Sequence, residues 1–224
     1  MKKLQALLIA GVAAGALIAA EAEAVPIADG GSANLSASGV EDGIPFGVDG
    51  SVVFGIPSTT QLTFDFDLTN TSFNDPNVAE DNRMTSFGFN VGGFAITLIT
   101  DDNATWTADF AGPPGPVFPD FAGQVDVCVF DGVNCPGGAT GGLQAGDDLQ
   151  LRVTLTGTQT PPLTFDAFFA RFQSTGPNQQ GSNNVQGTVT PGNGTPVPEP
   201  ATLALLGIGL LGAGYMARRR RDDA

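Results

Sequence analysis

Aspartates supply most of the side chains in this sequence that could do chemistry. Asp101-Asp102-Asn103, Asp147-Asp148, and Asp75 with Glu80-Asp81-Asn82 fall in stretches that read as loops. Calcium takes oxygen ligands from such clusters, although none follows the twelve-residue order of an EF-hand loop. A solvated acidic surface is the preferred reading, with a weak calcium site at Asp101, Asp102, Asp147 and Asp148 as the alternative. Asp65 and Asp67 offer a second chemistry. On an extended strand they share one face about 6 to 7 Å apart, a separation that a glycosidase pair could use and that any solvated strand also provides.

Other chemistries are excluded by what is missing. The chain has no histidine, which rules out Ser-His-Asp and Cys-His centres and removes the commonest zinc ligand. It has neither a glycine-rich phosphate loop with its lysine nor a dinucleotide fingerprint. Between Val25 and Pro198, eighteen Asp and Glu face three arginines, Arg83, Arg152 and Arg171, for a net charge of −15. That field repels nucleic acid and anionic head groups. The sequence is therefore read as non-enzymatic and without a nucleic-acid partner.

Cys128 and Cys135, the two cysteines of the chain, enclose "VFDGVN". In an oxidising compartment they are expected to close a disulfide across a turn. An eight-residue closure contributes about 2.5 kcal/mol in the loop-entropy model. A metal site would need ligands that the sequence does not hold, and a redox pair usually has two intervening residues rather than six.

The elements that must carry these residues read as strands joined by glycine- and proline-rich turns. In "QLTFDFDL", Gln61 to Leu68, the residues Leu62, Phe64, Phe66 and Leu68 alternate with Thr63, Asp65 and Asp67. This period of two marks a half-buried antiparallel strand. Thr85 to Val91 repeats the pattern, and Gly92-Gly93 shifts its phase before Phe94 to Leu98, which predicts a bulge or bend. Ser51 to Phe54, Thr105 to Phe110, Gln124 to Phe130, Gln150 to Leu155 and Leu163 to Phe172 are further strands. "AGPPGP", "DGVNCPGGATGG" and "TGTQTPP" are read as breakers between them.

Eight or so short strands without a helical apolar period predict an all-β fold. An antiparallel β-sandwich fits, with a jelly roll among its forms and a core rich in the sixteen phenylalanines. Phe165 to Phe172 carries large apolar groups on both faces, so it is a central strand covered on both sides or an exposed patch. Ala28 to Glu41 is expected to be loose. Residues 174–197, polar and poor in core formers, are expected to form a flexible linker, interrupted at most by an edge strand near Val185 to Val189. The domain proper would occupy residues 25–173.

Both ends carry addresses. Lys2 and Lys3 precede the uncharged run Leu4 to Ala20, and "AEA" then occurs twice in overlap. These are the parts of a secretory signal peptide over residues 1–24, cut after Ala24 or, nearly as acceptably, after Ala22, with a retained N-terminal membrane helix as the lesser alternative. At the other end Ala201 to Ala217 is uncharged, and as a helix it would cover about 25 Å, at the short end for a membrane span of roughly 30 Å. Arg218, Arg219, Arg220 and Arg221 follow, a block that keeps the extreme terminus in the cytoplasm by the positive-inside rule. Pro198-Glu199-Pro200 stands just outside that segment.

"VPEPATLALLGIGLLGAGYMARRR" resembles the PEP-CTERM sorting signal of Gram-negative bacteria. The resemblance covers Pro196 to Arg221: Pro-Glu-Pro, a hydrophobic helix and a basic cluster at 198–221, with Asp222-Asp223-Ala224 trailing beyond the family pattern. It implies recognition by an exosortase after passage through a secretion translocon. It further implies removal of the C-terminal transmembrane helix, export through the inner membrane, and delivery to the cell surface, outer membrane or extracellular matrix. Such proteins are associated with exopolysaccharide and biofilm. Val125 to Asp147, "VDVCVFDGVNCPGGATGGLQAGD", also resembles the cistern family of these proteins, which implies an exported β-rich domain without adding a catalytic residue. A structural or adhesive surface protein is the leading expectation. A carbohydrate-binding module is the alternative, and a polysaccharide-acting enzyme comes after it. For a binding module, Trp106 or several Phe are expected to line an exposed groove.

Overall fold

The computed structural model describes residues 24–73, 82–110, 118, 125–132, 134–136, 141–175 and 181–192. These residues form ten strands: β1 (Val25–Pro26), β2 (Ser32–Glu41), β3 (Ile44–Ser58), β4 (Gln61–Asn70), β5 (Arg83–Asp101), β6 (Trp106–Phe110), β7 (Val127–Asp131), β8 (Asp148–Thr175), β9 (Gly181–Gln186) and β10 (Thr188–Pro191). All pairings between strands are antiparallel, in the order β10-β2-β3-β4-β8-β5-β7-β6, with β1 and β9 both against β8.

One hydrogen-bonded sheet folds back on itself to make two layers, and the long strands β5 and β8 belong to both. The first part of β8 pairs β4 from Leu149↔Leu68 to Thr156↔Gln61, with the second part of β5 on its other side. The later part of β8 pairs the first part of β5, from Thr164↔Gly92 to Gln173↔Arg83. The layers meet through aromatic rings. Phe46 and Phe54 of β3 reach Phe172 and Phe165 of β8 at 5.1 and 5.8 Å, and Phe66 of β4 reaches Phe87 of β5 at 5.0 Å. This is the antiparallel sandwich that the alternation predicts. Consecutive strands β2, β3 and β4 lie side by side as a meander rather than alternating between sheets as in a jelly roll.

The glycine pair does what its phase shift implies. The β5–β8 register shifts between Gly92 and Phe94. Gly93 has φ +73°, and a Cβ there would collide with the carbonyl oxygens of Pro162 and Thr160. A second shift leaves Asp166 without a partner between Phe165 and Ala167. Phe165, Phe168, Ala170 and Phe172 therefore face the main core, while Ala167 and Phe169 face a separate cluster with Phe118, Val125 and Phe130. Phe165 to Phe172 is a strand covered on both sides.

Three expectations are corrected. Ala28 to Glu41 is not loose, because β2 runs through it and buries Ala33, Leu35 and Ala37 while pairing β3 over ten residues. "TGTQTPP" does not break the chain, since Thr154 to Gln159 stay paired with Phe94 to Thr100 across the turn between layers. Residues 174–197 are not simply a linker. β9 extends the later part of β8, β10 extends β2, and Val189 is buried, so the folded body runs to Gly192, whose N–H donates to the Ser32 carbonyl at 2.9 Å. The edge strand expected near Val185 to Val189 is thus two strands, which open sheet edges hold through backbone hydrogen bonds over more of the segment than its apolar residues mark. Among the described residues no helix is long and apolar enough to cross a membrane. Residues 1–23, which hold all but the last residue of the N-terminal leader, and 193–224, which hold the sorting segment, lie outside those residues.

Candidate functional site

The sequence-level candidates fall into four places. Asp65 and Asp67 project from the solvent face of β4, as their alternation requires, and line a shallow depression of about 450 Å³ with Ser51, Asp102, Gln150 and Arg152. Asp65 is the direct cross-strand partner of Arg152 and accepts from its Nε at 2.5 Å and its Nη2 at 2.8 Å. This bidentate hydrogen bond, with the Asp65 charge, raises the guanidinium's hold on its proton. Both Asp65 oxygens accept from Arg152, so Asp65 stands in an ion pair while Asp67 lies beside it on the same depression.

The calcium candidates are also occupied locally. Asp101 Oδ2 accepts from the Ala108 N–H at 3.0 Å, Asp102 Oδ1 accepts from the Arg152 N–H at 2.8 Å, and Asp148 Oδ1 accepts from the Thr69 hydroxyl at 2.6 Å. Asp147 and Asp148 line an open depression of about 430 Å³ together with Asn103, Trp106 and Asp131. Asp102 lies instead on the neighbouring depression with Asp65, so the two aspartate pairs are not gathered into one ligand set. Among the described residues no group of three or more Asp, Glu, His or Cys could hold a metal ion. Asp75, Glu80 and Asp81 lie outside them.

Cys128 on β7 and Cys135 form a disulfide with Cα atoms 5.9 Å apart. Both are buried in the cluster made by Phe118, Val125, Phe130, Ala167 and Phe169, and the Ser86 hydroxyl donates to the Cys135 carbonyl at 2.8 Å. The bridge closes a small hydrophobic unit on the outer face of the second layer.

Two arrangements escape sequence reasoning. Asn70 is fully buried and joins three segments. Its Nδ2 donates to the Asn82 carbonyl at 2.9 Å and to the Leu143 carbonyl at 2.7 Å, and its Oδ1 accepts from the Ser72 N–H at 3.0 Å. Asn82 continues the network by donating to the Phe73 carbonyl at 2.8 Å. The other arrangement is Asp126, whose carboxyl lies between the Val91 N–H and Asp166. Desolvation raises its pKa above the ordinary carboxylate value, the Val91 hydrogen bond opposes that rise, and the Asp166 charge adds to it. Residues forty positions apart meet here only through the β5–β8 register, so no local signal could have paired them.

The aromatic-platform expectation fails for Trp106, which is 5% exposed and packs on Phe87 at 6.1 Å. Of the described phenylalanines, only Phe73 is substantially exposed.

The match to a known family falls in the C-terminal segment. Residues 196–221, which include Pro198, Glu199, Pro200 and Arg218 to Arg221, match the PEP-CTERM protein-sorting motif. This chain carries a PEP-CTERM sorting signal. Exosortase recognises such signals, and the motif implies export across the inner membrane to the cell surface. The match covers the tail and leaves the resemblance of Val125 to Asp147 to the cistern family where the sequence put it. No curated protein and no solved structure matches the chain.

Proposed function

We propose that the β-domain is a structural or adhesive component of the cell surface or its polysaccharide matrix, delivered by secretion and exosortase processing. The sorting signal carries this reading, because it assigns the protein an address and an enzyme that acts on its tail. The construction of the body supports it. The polar side chains singled out for chemistry instead tie strands together, Asp65 to Arg152 and Asp101 to Ala108, while phenylalanine rings fill the space between layers. An exported acidic sandwich of this kind stays soluble and presents a hydrated surface.

Polysaccharide is the proposed environment rather than a ligand held in a groove. An aromatic binding platform would need flat exposed rings, and Trp106 is buried. The test compares a host lacking this protein with one restored by the wild-type chain and one restored by Asp65→Asn/Asp67→Asn. Loss of cell-to-cell cohesion without the protein, restored by both chains, is expected. Restoration by the wild type alone would favour carboxylate chemistry, and unchanged cohesion without the protein would overturn the structural role.

A further inference from the structure

The chain leaves the folded body in a definite direction. β10 runs antiparallel to β2, which is itself antiparallel to β3, so Gly192 emerges level with Val53 and points toward the β3–β4 turn at Thr59-Thr60. That turn begins six residues beyond Val53, about 20 Å along a strand. From Gly192 to Pro198 there are six Cα steps, which span about 20 Å when fully extended. The uncharged run begins at Ala201, nine steps and about 30 Å of extended chain from Gly192, so even a taut tether leaves the β3–β4 tip within about 10 Å of where that run begins.

The same end of the sandwich is distinguished by its charge. Phe54 to Phe64, Val91 to Thr100 and Val153 to Phe165, the three stretches that meet there, contain no charged residue, although the body carries a net −15. Among the described residues the exception within this end is Asp29, exposed, whose Oδ1 accepts from the Ile56 N–H at 2.9 Å. Asp65, Arg152 and Asp102 begin at the level of Val53, Asp126 and Asp166 lie beside Val91 and Gly92, and Glu41, Asp42, Asp147 and Asp148 lie toward the opposite end. Exposed apolar side chains do not distinguish the ends, since Leu98 and Val53 belong to one and Val40 and Phe73 to the other. Charge does. In the first layer Asp29 is the one charge among the described residues over about 20 Å of this end, which holds the Asp65 row more than two Debye lengths from a lipid surface at physiological salt.

We propose that, before its tail is cut, the protein stands on the outer surface of the inner membrane with this charge-poor cap against the lipid head groups. The proposal rests on the sorting-signal reading and on the tail anchoring the precursor. The cap lets an acidic protein approach an anionic bilayer closely enough for a short tether to present Pro198-Glu199-Pro200 to the membrane enzyme. The acidic end, turned away, disfavours the inverted orientation through repulsion.

The test uses the full chain in a host lacking exosortase, so that the precursor accumulates with its tail. Thr59→Cys places a thiol at the cap, and Val40→Cys, at a residue 68% exposed, places one at the far end. The native cysteines are buried and oxidised. A bulky polyethylene-glycol maleimide added to spheroplasts is expected to label position 40 several-fold faster than position 59. Detergent release should make the two equal, which also checks that both variants are folded alike. Inserting about thirty Gly/Ser residues after Gly194, a coil of roughly 30 Å, should likewise expose position 59. Equal labelling on the membrane, or faster labelling at position 59, would overturn the orientation. A precursor found in the soluble fraction would instead overturn the anchoring on which it rests.

Discussion

Replacing Asn70 by alanine should destabilise the domain more than any other single polar-to-alanine change outside the disulfide. Its side chain is 0% exposed and makes three hydrogen bonds, two donated to the Asn82 and Leu143 carbonyls and one accepted from the Ser72 N–H. At about 1 kcal/mol for each bond the loss is about 3 kcal/mol, and taking these partners from the Ser72 N–H and the Asn82 carbonyl raises it toward about 5 kcal/mol, while the Leu143 carbonyl keeps the Met84 N–H at 2.9 Å. In a domain of this size that lowers the thermal midpoint by roughly 6 to 15 °C. The assay is thermal and urea unfolding of the processed protein. Asn34→Ala, at an exposed strand position, serves as the control and should move stability by less than about 0.5 kcal/mol. Asn70→Asp sharpens the test, because it keeps an acceptor for Ser72 but turns oxygen toward two carbonyls, and it should be at least as damaging as alanine. A loss below about 1 kcal/mol for Asn70→Ala would refute the assignment of this network as the clasp joining β4, β5 and the 141–147 loop.

Further outcomes follow from the same coordinates. Phe64→Ala removes a fully buried ring that contacts Phe54, Phe66, Phe89 and Phe165, and should cost about 3 to 5 kcal/mol by urea unfolding. Cys128→Ser/Cys135→Ser should lower stability by about 2.5 kcal/mol, and wild type in reductant should match it once the buried bridge opens. Asp126 is disfavoured as an anion in the fold, so its penalty is absent below its unfolded pKa and grows as pH rises through the higher folded value. Asp126→Asn, which can still accept from Val91, should raise the melting temperature at pH 7 and leave it unchanged near pH 3. A gain that is equal at both pH values would contradict the desolvation argument.

The strands that show themselves in the sequence are those whose apolar residues are large and strictly alternating. Gln61 to Leu68 is legible because four large side chains share one face, and the Gly92-Gly93 kink is legible because a phase shift falls on residues that tolerate positive φ. β2 is hidden because its inward residues are largely alanines, too small to outweigh the surrounding Ser and Gly. β9 and β10 show only as one edge strand near Val185 to Val189, because backbone pairing, rather than side-chain burial, holds most of their length. The chemistry divides in the same way. The sorting signal is contiguous and therefore readable from residue types alone. The Asp65–Arg152 bridge, the Asn70 clasp and the Asp126–Asp166 contact depend on strand register across dozens of residues. Sequence alternation places Asp65 on the correct face, but it does not show that Arg152 stands opposite.

The central claim, a β-domain whose two terminal addresses are removed during delivery, is tested most directly by the intact mass of the protein recovered from the surface of its own host. The account predicts a chain that has lost residues up to about Ala24 and is truncated near Pro198, with any added mass residing at the new C-terminus. A mass that still includes Ala201 to Ala224 would contradict it and leave a tail-anchored domain in place of a sorted one.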